Sequence, residues 1–145
     1  MTLRPKVYLL LLIILVLLNI SLAVLIRDAK HMNQRDEFTR DSNERVALFN
    51  QFTETLESEV DEQKLISLYQ LLARMEAIRV QDPGYLLQAD YTRQINEGWK
   101  VMRQLESGKD IDTAAYNVLL ESWNRKIDQQ EAMYKNKIIT YRVTN

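Results

Sequence analysis

The chain contains few side chains suited to catalysis, and its single histidine is the first to consider. Among 145 residues there is one histidine, His31, and no cysteine. Disulfides, cysteine nucleophiles and thiolate zinc sites are therefore excluded. A histidine-based triad would need His31, which lies in a polar stretch just after an apolar run. Phosphate-loop glycine patterns and the Glu-x-x-His pairs of di-iron bundles are also absent. We expect no catalytic residue, no metal site and no cofactor.

Carboxylates are the remaining candidates for chemistry. Oxygen ligands of the kind that calcium prefers occur together at Glu54, Glu57, Asp61 and Glu62. No EF-hand glycine lies among them, and their spacing is typical of a helix surface. We interpret them as a solvated acidic face.

Aromatic residues are placed more regularly. Four of them fall on one stripe of the predicted last helix: Tyr116, Trp123, Tyr134 and Tyr141. Tyr91 and Trp99 belong to the preceding helix. We expect these rings to face each other in a core. The alternative is that part of the stripe forms a surface for a partner, because tyrosine and tryptophan are common anchors at interfaces.

Asn19 is the one amide in an otherwise apolar segment. It shares a helix face with Ala23, four residues on, and interhelical hydrogen bonds in lipid are worth about 1 kcal/mol. Two interpretations stay open. The Asn19/Ala23 face contacts a partner helix, or Asn19 lies shallow enough to reach headgroups or water.

The segment that carries Asn19 has the length of a membrane span. Residues 7–26 contain no charge, and 20 residues of helix extend about 30 Å, the thickness of a bilayer core. A cleaved signal peptide is the alternative, because Ser21-Leu22-Ala23 resembles a cleavage site. Apolar residues continue to Ile26, which favours an uncleaved anchor.

The orientation of this anchor depends on flanking charges. Two cations, Arg4 and Lys6, precede it, whereas five follow it: Arg27, Lys30, Arg35, Arg40 and Arg45. Counted alone, these charges favour a cytoplasmic domain, but the rule weakens for long translocated domains. A six-residue tail with two cations tends to stay inside. We expect an inner-membrane protein with its N-terminus inside and its C-terminal domain periplasmic or extracellular.

The next segment, residues 27–45, is polar. Met32 and Phe38 are its only large apolar residues, so we expect it to bury little surface. Its charges alternate in sign, which permits i,i+4 pairs on a helix. We predict a solvated helical stalk, with a flexible tether as the alternative.

Helical periodicity follows in two segments before the first turn. The first carries Val46, Phe49, Phe52, Leu56 and Val60; it runs into the acidic patch, where Ser58 and Asp61 resemble a capping box. The next has one stripe of Leu65, Leu68, Leu72 and Met75, flanked by Ile66, Tyr69, Ala73 and Ala77. A face this broad predicts burial against more than one neighbour.

Turn residues separate the later helices. Asp82, Pro83 and Gly84 predict a hinge with a type II turn, in which the glycine takes a positive φ. A helix over 85–106 should end at Ser107-Gly108, and Asp110 or Asp112 should cap the last helix. The apolar residues of the last helix are spaced alternately four and three residues apart, which is typical of coiled-coil packing.

These elements predict an all-α protein: one transmembrane helix, a polar stalk and an antiparallel bundle of three long helices, or four if the acidic patch breaks the first. The predicted divisions are a tail (1–6), an anchor (7–26), a stalk (27–45) and a bundle domain (46–145). Beyond the anchor there are 17 basic and 20 acidic side chains, a net charge of −3. That balance argues against nucleic acid as a partner.

Two functional hypotheses follow. The first is a non-catalytic, single-pass membrane protein that acts through protein contacts, as an accessory, scaffold or assembly subunit of a bacterial envelope complex of the secretion, pilus, motor or division type. Its partners would be envelope proteins, the lipid bilayer and a second copy of the chain. The alternative is a membrane-anchored sensor or ligand-binding domain. In architecture the chain loosely resembles the membrane helix and periplasmic bundle of bacterial chemoreceptors, which implies signalling through a partner.

Overall fold

The computed structural model describes residues 5–58, 62–109, 111 and 113–139, and its regular structure is entirely helical. Four helices follow one another: α1 (Pro5–Glu57), α2 (Glu62–Gln81), α3 (Gln88–Glu106) and α4 (Ala114–Lys137). No strand occurs in these residues. The predicted all-α class is confirmed, with a long apolar N-terminal helix followed by a helical bundle.

The chain divides into two compact units, residues 1–36 with 132–145 and residues 37–131. The first unit contains the apolar segment. Among the described helices, only α1 is long and apolar enough to cross a bilayer, and none of the residues in its most apolar stretch is buried. The second unit is a four-helix bundle with its own core.

A break after Glu57 decides the number of helices. The chain leaves helical geometry there and α2 begins at Glu62, so the bundle has four helices rather than three. The buried ammonium of Lys64 donates to the carbonyls of Leu56 and Ser58, both at 2.6 Å. A cation at a helix C-terminus satisfies carbonyls that have no partner within the helix. Two residues predicted to lie at this break, Val60 of the apolar stripe and Asp61 of the capping box, lie outside the described residues.

Contacts within the bundle show that consecutive helices run antiparallel. Along α2 and α3, the Gln88 side chain donates to the Arg79 carbonyl and the Tyr91 hydroxyl donates to the Met75 carbonyl. Residue numbers rise on one helix as they fall on the other. α1 and α4 are also antiparallel, since Phe52 packs on Tyr116 and the Thr39 hydroxyl donates to the Glu131 carboxylate. Short connections produce this up-and-down arrangement.

The buried stripe of α1 begins earlier than predicted. Its members recur at spacings of four and three residues: Phe38, Ser42, Arg45, Phe49, Phe52 and Leu56, all 7% exposed or less. The expectation that residues 27–45 bury little surface is therefore wrong for Phe38, Ser42 and Arg45. A continuous helix presents one face to the bundle along its length, and polar side chains on that face are covered with the rest.

Two turns carry glycine, and they behave differently. The Tyr85 amide bonds to the Asp82 carbonyl, so a turn closes at the predicted place between α2 and α3. Gly84 has no positive φ, so the type II prediction is wrong. Gly108 has φ 65°, and the amides of Gly108 and Lys109 bond to the carbonyls of Leu105 and Gln104. This is a Schellman motif, which confirms the predicted end of α3.

The broad apolar face predicted for α2 is only partly buried. Leu68, Leu72 and Met75 are fully covered, as expected, but the flank of Ile66, Tyr69, Ala73 and Ala77 is exposed. α3 approaches α2 closely at Gly98, where an added Cβ would lie 2.7 Å from the Leu72 side chain. That approach covers one side of α2 and leaves the other open.

Candidate functional site

The Asn19/Ala23 face lies in the apolar segment of the first unit, and both side chains are exposed. The side-chain amide of Asn19 donates to the backbone carbonyl of Leu15 at 2.8 Å. Its N–H is therefore satisfied within its own helix, while the side-chain oxygen still has acceptor capacity. A contact with a partner helix stays a prediction.

The predicted aromatic stripe of α4 is divided between environments. Tyr116 and Trp123 lie in the bundle core, each 1% exposed. Tyr134 belongs to the first unit and is half-buried, with the Lys137 ammonium 5.6 Å from its ring. Tyr141 lies outside the described residues. The core interpretation therefore holds for the two residues that face α1 and α3.

Phe49 of α1 is the centre of the buried aromatic cluster. Its ring lies 5.7 Å from Tyr91, 6.2 Å from Tyr116 and 5.4 Å from Trp123. Two of these pairs, with Tyr91 and Trp123, are edge-to-face, a favoured arrangement for aromatic rings. We define the buried aromatic cluster as Phe49, Phe52, Tyr91, Tyr116 and Trp123.

Arg45 is a polar residue within this core that the sequence did not single out. Its side chain is 2% exposed, and its guanidinium lies 3.9 Å from the Tyr85 ring centroid. It donates to the Asp82 carboxylate at 2.7 Å and to the Asp41 carbonyl at 3.0 Å. Its Nε has no hydrogen-bond partner among the described residues. The ion pair with Asp82 ties α1 to the α2–α3 turn, so the predicted hinge is fastened to the bundle.

The hydroxyls around Arg45 are held neutral. Burial raises the pKa of Tyr85, and the bond to Ser42 at 3.0 Å and the Arg45 charge offset part of this rise. Burial raises the pKa of Tyr91 further, again against the charge of Arg45. Neutral tyrosine rings over a cation favour the charged arginine, because the ring face is electron-rich. The signal for Arg45 was present in the heptad spacing that it shares with Phe38, Ser42 and Phe49.

A second aromatic group lies at the bundle surface. The rings of Tyr69 and Trp99 are 5.7 Å apart, on α2 and α3, and Tyr69 is 41% exposed. The Tyr69 hydroxyl donates to the Glu106 carboxylate, and this bond raises the pKa of Tyr69. Ile66, one turn earlier, is 43% exposed, and Arg103 follows Trp99 by one turn. We call Ile66, Tyr69, Trp99 and Arg103 the Tyr69–Trp99 surface.

The outer face of α3 continues this surface with positive charge. A shallow groove of about 540 Å³ runs along it, and its lining includes Arg93, Trp99, Lys100 and Arg103. Lys100 pairs with Glu97, whereas Arg93 and Arg103 form no ion pair with a described residue. Two arginines and one half-buried tryptophan are side chains of the kind that interfaces concentrate.

Those residues first considered for chemistry that the structure describes are not assembled into one site. The His31 Nδ1 lies 3.3 Å from the Gln34 side chain, one turn away on the same helix. Glu54 and Glu57 are exposed, and the side chains of Asp61 and Glu62 lie outside the described part. Among the described residues, no three histidine or acidic side chains are grouped as metal ligands.

Comparison of the chain with protein-family models, with curated proteins and with solved structures finds no match.

Proposed function

We propose that the chain is a non-catalytic, single-pass membrane protein that acts through protein contacts, as an accessory, scaffold or assembly subunit of a bacterial envelope complex. In this proposal residues 7–26 are the anchor in the inner membrane. The N-terminus is inside, and the bundle projects into the periplasm. The Asn19/Ala23 face is available to a partner helix or a second copy.

The observation that carries this proposal is the Tyr69–Trp99 surface. Two large aromatic rings from neighbouring helices are left partly exposed, although the bundle buries other aromatic rings in its core. The guanidinium of Arg103 beside them forms no ion pair or hydrogen bond with a described residue. Aromatic and arginine side chains supply most of the binding free energy at protein interfaces, chiefly where a partner excludes water from them.

The exposed apolar segment supports the anchor. Large apolar side chains are exposed along nearly the whole of residues 7–26, including Leu9, Leu18 and Ile26. Soluble proteins rarely leave a patch of this extent in water, because each Å² of apolar area costs about 25 cal/mol. A bilayer would cover it. The bond from Asn19 to Leu15 lowers the cost of placing an amide in lipid.

Site-directed photo-crosslinking in the native membrane tests the contact surface. A photoreactive side chain would replace Asn96, an exposed residue in the groove beside Trp99 on α3, or, as a matched control, Asn117, an exposed residue of α4. We expect position 96 to form a discrete crosslinked product with one protein species and position 117 to form none. Trp99→Ala should reduce that product at least tenfold. Equal products at both positions, or none at either, would contradict the proposed surface.

The orientation has its own measurement, made simple by the absence of native cysteine. An Asn117→Cys variant would be treated with a membrane-impermeant maleimide in intact spheroplasts. Labelling without permeabilisation is the expected outcome for a periplasmic bundle. Labelling that requires permeabilisation would place the bundle in the cytoplasm, the side that the flanking cations favour when counted alone.

The sensor function remains the second candidate because of Arg45. The buried guanidinium of Arg45 pairs with Asp82, which lies on a turn and is 41% exposed. A small carboxylate solute that displaced Asp82 would bind the guanidinium in its place. This function predicts that some small carboxylates raise the melting temperature of the purified protein. The rise should be larger in Asp82→Asn, where the competing charge is removed. A panel with no effect on either protein would argue against a sensor of this kind.

A further inference from the structure

The two chain segments of the first unit, residues 1–36 and 132–145, are joined by a hydrogen bond between Asp28 and Ile139. Asp28 lies two positions after Ile26, the last residue of the apolar segment, and is 3% exposed. Its carboxylate accepts the backbone N–H of Ile139 at 2.9 Å, just beyond the end of α4. Ile138 beside it is 4% exposed. The C-terminal end of α4 is therefore fastened to the start of the polar part of α1.

The place of this bond follows from helix geometry. At 1.5 Å per residue, Asp28 lies about 3 Å beyond Ile26 along α1. The headgroup layer on each side of a bilayer core is about 5–8 Å thick. If residues 7–26 span the core, Asp28 lies within that layer, and the Ile139 amide bonded to it lies there as well.

Positive charge surrounds the bond. Arg27 and Lys30 flank Asp28 on α1, and α4 ends with Lys135 and Lys137 in its last turn. Asp28 is the only acidic residue in the described segments 27–31 and 132–139. None of the four cations forms an ion pair with a described residue. The tip of this unit is thus basic although the chain as a whole is slightly acidic.

We propose that this basic tip binds the headgroups of anionic phospholipids, with the Asp28–Ile139 bond holding Lys135 and Lys137 at the membrane surface. The proposal rests on the anchor proposed above. Each lysine or arginine beside an anionic bilayer contributes favourable Coulomb energy that falls off within a Debye length. Tyr134, half-buried next to Lys137, is of the residue type that collects at membrane interfaces.

Amine labelling of the full chain in lipid nanodiscs tests this contact. The protein would be reconstituted in discs of phosphatidylglycerol and, separately, of phosphatidylcholine. Labelling rates of individual lysines would then be followed by mass spectrometry. We expect Lys30, Lys135 and Lys137 to react roughly fivefold more slowly in the anionic discs, and high salt to abolish the difference. Lys100 and Lys126, in the bundle, are the controls and should react equally in both lipids.

Variants of Asp28 separate the bond from general attraction. Asp28→Ala removes the acceptor, so Lys135 and Lys137 should lose their protection while Lys30 keeps it. Asp28→Asn retains an acceptor oxygen and should preserve protection at all three. Incorporation into discs with equal labelling in both lipids would overturn this proposal alone. Failure to incorporate into either disc would overturn the anchor, and this proposal with it.

Discussion

The buried aromatic cluster and the Tyr69–Trp99 surface each pair a tryptophan with another aromatic ring at a similar distance, yet they lie in opposite environments. Phe49 and Trp123 have ring centroids 5.4 Å apart, and Tyr69 and Trp99 are 5.7 Å apart. The first pair is at most 1% exposed, whereas Tyr69 is 41% exposed. Ring contact alone therefore does not distinguish a core from a surface. The number of helices that meet at the rings does.

The difference has an energetic consequence. A buried aromatic side chain removes about 150–250 Å² from water, and a ring left at the surface keeps part of that area available to a partner. We therefore expect substitutions in the cluster to change folding, and substitutions at the surface to change association.

The largest expected effect is at Trp123. Trp123→Ala should lower the free energy of unfolding by about 3–5 kcal/mol, because it opens a cavity beside Phe49 and Tyr91. Urea unfolding of the detergent-solubilised full chain, followed by circular dichroism at 222 nm, measures it. A loss below about 1 kcal/mol would mean that Trp123 is not a core residue.

Asp82 should rank second, because its loss would leave the buried Arg45 without a counter-charge. Asp82→Ala is expected to cost roughly 1–3 kcal/mol in the same measurement. Asp90→Ala is the matched control, since its partner Lys126 is 45% exposed and such pairs are worth about 0–1 kcal/mol. Equal losses in the two variants would show that the Arg45 pair behaves as a surface pair.

Alkaline pH should affect the buried cluster more than the surface. Burial raises the pKa of Tyr91 and Tyr116 above the ordinary value near 10. A group whose folded pKa is raised stabilises fully below its unfolded pKa, and that stability is lost as pH rises toward the folded value. The melting temperature should thus be steady from pH 8 to about 10 and fall above it.

Two tyrosine variants sharpen this expectation. Tyr91→Phe should reduce the fall in melting temperature above pH 10, because one buried ionisation is removed. Tyr69→Phe should change the slope less than Tyr91→Phe does, because the pKa of Tyr69 is raised by a bond to Glu106 at the exposed surface, where water screens the interaction. A larger change in Tyr69→Phe than in Tyr91→Phe would reverse the comparison between the two regions.

The smallest expected effect on stability is at Trp99. Trp99→Ala should cost at most about 1 kcal/mol, although the residue has the same chemistry as Trp123. Its effect should appear instead in association, as the tenfold loss of crosslinking from position 96. A loss of stability as large as that of Trp123→Ala would move Trp99 into the core and remove the proposed surface.

Prediction from the sequence worked best where the signal is local. The stripe of Leu68, Leu72 and Met75 and the stop at Gly108 depend on spacing and backbone freedom within a few residues, and both are confirmed. The candidate site was harder. Tyr69 was expected to be buried and Arg45 to be solvated. Periodicity shows that a helix has an apolar face, but it does not show how much of that face the neighbouring helices cover.

The sequence by itself determined that the chain is helical, that it has an uncharged segment as long as a bilayer is thick, and that its helices break near Asp82 and Gly108. These features depend on residue type and on neighbours along the chain. Only the tertiary structure decided that Arg45 lies under Tyr85, that Tyr69 meets Trp99 at the surface, and that Asp28 holds Ile139. Each of these contacts joins residues that are far apart in the chain. Their formation depends on which helix faces come together, and residue spacing along one helix does not specify that.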